Sequence, residues 1–161
     1  MSLFPYTTVS IEPTRIGVIV LQSDETIERD LMAMHGDADV FVSRVASGQE
    51  VTAETLQSMA GHIAASASLF PQTIGFDAVG YCCTSGTAQI GVSEIERLVK
   101  SGTQTKTVSQ PVSALVAACQ HLGLKRVALL SPYIESVSAN LRQVLHGNGI
   151  CLLYTSPSPR D

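Results

Sequence analysis

The sequence has no clustered lysines and arginines, and its formal net charge is -4 over 161 residues. A nucleic-acid partner needs grouped cations to neutralise phosphates, so that class of function is set aside. No apolar run reaches membrane-spanning length. The N-terminus lacks the basic region and apolar stretch of a secretory signal. No CxxC, HExxH or paired-histidine spacing points to a metal. There is no glycine fingerprint for a dinucleotide, no GxxxxGK[ST] phosphate loop and no serine-hydrolase elbow. The papain-like setting of a cysteine with a distant histidine is missing too. Neither cofactor nor metal is therefore expected, and neither nucleic acid nor membrane as partner. The four cysteines follow no disulfide-framework spacing in a chain long enough to build a core. That fits a reducing compartment and leads to the expectation of a soluble, cytoplasmic protein.

What is present is a repeated alternation of apolar β-branched runs with helical periodicity. Arg15–Leu21 (RIGVIVL) reads as a strand covered on both faces. Ser23 or Asp24 then caps a helix from Glu25 to about Met34, with Ile27, Leu31 and Met34 facing the sheet. Val40–Ala46 reads as a second strand. A long helix from Thr52 to about Leu69 follows, with an apolar stripe of Leu56, Met59, Ala60, Ile63 and Ala67. His62 lies on that helix with no acid or thiol nearby in sequence and is assigned to its flank. Pro71 closes the helix. Ala78–Cys82 is the third strand, and Val92–Lys100 the next helix. Lys106–Ser109 is a short strand or link, Pro111 opens a helix through Leu122 that holds Cys119 in its core face, Arg126–Leu130 is a strand and Ile134–His146 a helix. Ile150–Tyr154 has the composition of a last strand, while Thr155–Asp161 (TSPSPRD) has no apolar side to pack and is expected to be disordered. The alternation implies an α/β fold with a mainly parallel sheet.

Three strand ends carry polar side chains to one edge: Gln22-Ser23-Asp24, Cys83-Thr84-Ser85 and Ser131-Pro132-Tyr133. The middle one is the focus. A buried run reaches Cys83, Thr84 and Ser85 and is expected to turn at Gly86. In open α/β sheets ligands sit outside the carboxyl ends of the strands, and free N–H groups there would stabilise a thiolate. Cys83 reads either as a reactive thiol or as a small packed hydrophobe. Strand alternation sends Cys82 the other way, into the packing. Ser23 and Asp24 read equally well as plain helix caps.

The pieces IGVIVLQSDETIERD, YCCTSGTAQIG and RVALLSPY, with the long second helix, resemble the maleate cis–trans isomerase and arylmalonate decarboxylase group of the aspartate/glutamate racemase superfamily. Within it they are most similar to the ectoine-utilisation, EutA-like branch. The resemblance runs from Arg15 to about Gly149. It implies two pseudo-symmetric, flavodoxin-like three-layer lobes with a site between them. On that basis residues 1–14 are an arm, 15–110 the first lobe, 111–151 the incomplete beginning of the second, and 152–161 a tail that resembles translated sequencing adapter and carries no functional information.

The resemblance implies a cofactor-independent isomerase or racemase-like enzyme acting on a small carboxylic or dicarboxylic acid. Cys83 would be its nucleophile or acid/base, and the opposing cysteine would belong to the second lobe beyond residue 150. The carboxylate would be held by Thr84, Ser85 and Tyr133, with Ser23 and Asp24 in the first loop. Asp24 stands where maleate isomerases carry an asparagine, and Leu21 and Gln22 depart from their proline–serine. A carboxylate at that place repels a second one, which puts maleate itself in doubt. The alternatives are a decarboxylase, in which the first-lobe position need not be cysteine, and a non-catalytic α/β module that binds a small ligand. The fragment alone is expected to be inactive, and assembly into a homo-oligomer stays open.

Overall fold

The computed structural model describes residue 7, residues 12–34 and residues 36–156. Four strands form one parallel sheet in the order β2-β1-β3-β4: β1 (Arg15–Leu21), β2 (Asp39–Val45), β3 (Phe76–Tyr81) and β4 (Thr105–Ser109). β1 is central, pairing with β2 over its whole length and with β3 through Ile16↔Ala78 to Ile19↔Tyr81. It is buried because neighbours cover both faces, which is why its sequence runs apolar without alternation.

Crossovers between parallel strands are right-handed. The chain steps one way from β1 to β2 and the other way from β2 to β3 and from β3 to β4. The helix after β1, α1 (Ile27–Met34), therefore lies on one face. The helices after β2, α2 (Ala53–Ser58) and α3 (Ala60–Ser68), lie on the other face, as do those after β3, α4 (Thr84–Ile90) and α5 (Val92–Gly102). This is the expected α/β, flavodoxin-like arrangement of a parallel sheet with flanking helices.

The second face carries the main core, in which Ile19, Val45, Val79 and Tyr81 of the sheet meet Leu56, Met59, Ile63, Ala67, Ile95 and Val99 of the helices. Fully burying a side chain of this size stabilises by about 1.5–3 kcal/mol. Phe76 stacks edge-on against Phe41 at 5.3 Å and tilts against Phe70 at 5.0 Å.

Beyond β4, α6 (Pro111–His121), β5 (Arg126–Leu130), α7 (Glu135–Gly147) and β6 (Cys151–Ser156) make a smaller unit. β5 and β6 pair in parallel as a separate two-stranded sheet. Its core is Val112, Cys119, Leu141, Leu145 and Ile150. The two units meet where α7 packs on α4, with Asn140 donating to Gln89 at 2.6 Å.

Four expectations change. The long helix after β2 is two helices with Met59, 2% exposed, at the break. The expected turn at Gly86 is the helix α4, held from Cys83 by Thr87, whose Oγ1 donates to the Cys83 carbonyl at 2.6 Å. Gly91 then separates α4 from α5 at a φ of 96°, in the left-handed region that glycine adopts without strain. Along α1, Met34, the helix's last residue, is 72% exposed rather than packed on the sheet. Lastly, Leu152–Ser156 is not a loose tail: Leu152 pairs with Val127 and Ser156 with Leu130, satisfying the backbone of β5. Residues 157–161, and most of the expected arm at 1–14, lie outside the described residues.

Candidate active site

The site is set by β3. Tyr81 ends the strand against Ile19 of β1, and the Cys82 amide still donates to the Ile19 carbonyl at 2.9 Å. The next residue, Cys83, is extended at φ -137° and ψ 110° and caps α4. Its Sγ accepts the Gly86 N–H at 3.2 Å and lies 3.7 Å from Ser85 Oγ. A thiol sulfur in this position takes the place of the serine or aspartate oxygen that usually caps a helix. Ser85 and Thr87 are buried with it, and Thr84 is half-buried.

Burial of the two neighbouring thiols is the reverse of the expectation. Cys83 is 5% exposed and belongs to the main core cluster, whereas Cys82 is half-buried on the face of α1. Alternation does separate them, but the capping geometry folds Cys83 back over Gly86, and Val137 and Tyr133 of the second unit close over that cluster. Burial, then the charges of Asp24 and Cys83, push the Cys82 thiol up to about 11, so Cys82 is a neutral thiol at pH 7.

The first loop lies alongside, since β1 and β3 are neighbours. Asp24 Oδ1 accepts the N–H groups of Thr26 at 2.9 Å and Ile27 at 2.8 Å. Those two bonds, Ile27 first, hold its carboxyl below the usual range, and Arg44 adds to the effect. Arg44 also braces the loop by donating to the carbonyls of Leu21 at 3.0 Å and Asp24 at 2.9 Å and by pairing with Glu28. Asp24 thus performs its capping role, ionised, at the same sheet edge as Cys83. Ser23 is exposed. Tyr133 packs against both core clusters, and its carbonyl accepts from Ser138 Oγ at 3.1 Å.

Tyr81, inside the third strand, is not among the residues the sequence singled out. It is fully buried, and its hydroxyl has no hydrogen-bond partner. A Cβ placed on Gly86 would lie 2.8 Å from that hydroxyl and 2.9 Å from Cys83 Sγ, so phenol and thiol crowd the same spot. The signal was available: alternation puts Tyr81 and Cys83 on the same side of the chain.

A cleft of 560 Å³ opens elsewhere, at the amino ends of β1, β3 and β4. Its charges are matched, with Lys106 on Asp77 at 2.6 Å and Arg15 on Glu12 at 3.3 Å. Among the described residues no three of His, Cys, Asp and Glu gather to hold a metal ion, and no helix is long and apolar enough to cross a membrane.

The family model described as arylmalonate decarboxylase matches residues 16–156. The chain belongs to that family. The same fold is found in the maleate isomerase Iso from Pseudomonas putida S16, with a TM-score of 0.75, 21% identity, and coverage of 91% of this chain and 64% of that one. An unliganded arylmalonate decarboxylase is similar with a TM-score of 0.69 and 21% identity over 89% of this chain and 61% of that one. A mutant maleate cis–trans isomerase from Nocardia farcinica, holding a covalently bound succinylcysteine intermediate, gives 0.70 and 22% over 91% and 64%. The chain therefore spans less than two thirds of the length of these solved structures. A search of curated protein sequences finds no match.

Proposed function

We propose that the chain carries the first half of a cofactor-independent cysteine site that isomerises or racemises a small carboxylic or dicarboxylic acid, with Cys83 as the reacting thiol. The observation that carries this reading is Cys83 at the β3–α4 junction, its Sγ facing the Gly86 N–H and the Ser85 hydroxyl. Donors of this kind stabilise a thiolate more than a thiol. On a cis-enedioate the thiolate would form an S–C bond to one alkene carbon. The π pair would move to the other carbon and into its carboxylate, the C–C bond would rotate, and the returning pair would expel the thiolate and leave the trans isomer. The succinylcysteine intermediate in the Nocardia farcinica mutant is an adduct of the kind this route needs. Thr84, Ser85 and Tyr133 would hold the carboxylates.

The charged Asp24 supports a finer reading. A second carboxylate brought beside it would be repelled, so an acid bearing an amino or other donor group is the better substrate than maleate, as the ectoine-utilisation branch would use. The opposing acid/base would lie in the part of the relatives that this chain does not span, so the 161-residue chain would bind and react without turning over. The family match favours a second reading, decarboxylation, in which Cys83 would be idle.

Iodoacetamide labelling at pH 7, followed by mass mapping, tests the reading. Cys83 should react faster than the exposed Cys151. A Cys83 that labels only in denaturant, behind Cys151, would show a packing cysteine and sink the proposal.

A further inference from the structure

We propose that the Tyr81 hydroxyl is a further donor that stabilises the Cys83 thiolate from within the core, beside the Gly86 N–H and the Ser85 hydroxyl. This rests on the reading of Cys83 as the reacting thiol. A phenol oxygen buried without a partner costs free energy, so its retention calls for a state in which it is paired. The available partner is Cys83. Phenol oxygen and thiol sulfur press on the same side of the Gly86 α-carbon, at 2.8 and 2.9 Å from the place a Cβ would take. Here only glycine leaves room for both.

The phenol is suited to donate. Burial first, and then Cys83 beside it, by its charge and by accepting a hydrogen bond from the phenol when ionised, hold its pKa far above the ordinary value, so the phenol keeps its proton. Other ionisable groups act less directly. Cys82 bears on Tyr81 from the next position in the chain, and Asp24 bears on Cys82 from the first loop. On the helices around α4, Glu94 is paired with Arg97, Glu96 with Lys100, and Glu135 with Arg142, while Glu54, His121 and His146 are solvent-facing. Cys119 is enclosed in the other core. When Cys83 loses its proton, the charge on Sγ gains a third donor besides Gly86 N–H and Ser85 Oγ, and the unpaired hydroxyl is satisfied at the same moment. Bonds to a charged acceptor are about twice as strong as neutral ones.

The test is the pH profile of Cys83 alkylation by iodoacetamide in the full chain, with the exposed Cys151 as an internal reference. In Tyr81→Phe the Cys83 midpoint should rise by about one pH unit, a tenfold loss of thiolate near neutral pH, while Cys151 is unmoved. The denaturant midpoint should hold or rise, because only an unpaired hydroxyl is removed. In the unmodified chain the near-UV tyrosine band should shift with the same midpoint as Cys83 labelling, and Cys83→Ser should abolish that shift. An unchanged Cys83 midpoint, or a variant that unfolds for want of the hydroxyl, overturns the proposal. Iodoacetamide reads the thiol whatever the substrate is. A shifted midpoint in a Cys83 that still labels behind Cys151 would sustain the role of Tyr81 and sink the reading of Cys83 as the reacting thiol. An unshifted midpoint in a Cys83 that labels ahead of Cys151 would do the reverse.

Discussion

Gly86 is the residue on which the site turns. In an ordinary helix interior, replacing glycine by alanine stabilises by about 1 kcal/mol. Here the added Cβ would lie within 3.0 Å of both the Tyr81 hydroxyl and the Cys83 sulfur, and neither can withdraw, since Tyr81 is fully buried and Cys83 nearly so. Gly86→Ala should therefore cost about 1–3 kcal/mol, the usual range for overpacking, and should slow Cys83 labelling as the sulfur is pushed off the Gly86 N–H. Urea unfolding and labelling rates on the same sample check both. A stabilised variant with unchanged labelling would mean that the contact at Gly86 is loose. At this scale the sequence was half legible. Cys83 stood out because thiols at strand ends are rare and chemically distinctive. Tyr81 did not, because an aromatic in an apolar strand says core, and only the folded backbone shows where its hydroxyl stops.

The elements were legible where apolar periodicity is strong. β1, α5 and α7 read directly, since their buried faces are continuous in the sequence. α4 did not, because TSGTAQI is poor in helix formers. It is helical through its cap: Cys83 Sγ takes the Gly86 N–H, and Thr87 is bonded back to the Cys83 carbonyl. β6 was legible in its apolar part, which the sequence reads as Ile150–Tyr154, but not at Thr155 and Ser156, since a strand end needs only a backbone partner, which composition does not display. α1 supplies the prediction at this scale. It buries no residue fully, so its cap matters more than it would for a packed helix. Asp24 accepts the N–H groups of Thr26 and Ile27 at the start of α1, and its folded carboxyl lies below its ordinary value. A carboxylate depressed on folding contributes stability that is present above its unfolded pKa of about 3.9 and lost as pH falls through the lower folded value. Asp24→Ala should cost about 0.5–2 kcal/mol at pH 7 and progressively less below pH 4. Asp24→Asn, which keeps a capping oxygen, should lose little at either pH. Urea midpoints across that range decide it: an alanine penalty that does not shrink with acid would assign the loss to packing. If Asp24 also selects the substrate, the asparagine variant should bind maleate more tightly than the parent.

The whole molecule has two cores joined at a narrow seam. α7 lies on α4, Asn140 reaches Gln89, and Tyr133 packs against both clusters. The family resemblance implies that Tyr133 holds the substrate carboxylate, and its place in the fold implies another task, because the ring lies between the smaller unit and the main sheet. The two tasks reside in different atoms and can be separated. Tyr133→Phe keeps the ring and removes the hydroxyl. If that hydroxyl holds a carboxylate, the variant should weaken binding of a small dicarboxylate such as maleate about tenfold, as for the loss of one hydrogen bond to a charged group, with an unchanged urea midpoint. Tyr133→Ala removes the ring as well. It should cost about 1–3 kcal/mol, in the range of a partly buried large-to-small change. It should also broaden unfolding into two steps, the α6–β6 unit melting before the main sheet, because the remaining contacts between the cores are few and partly polar. Tyrosine fluorescence and far-UV circular dichroism followed in the same urea series would show the split as non-coincident transitions. A single coincident transition in Tyr133→Ala, with maleate binding intact in Tyr133→Phe, would leave Tyr133 with neither role and move the carboxylate-holding function to Thr84 and Ser85 alone.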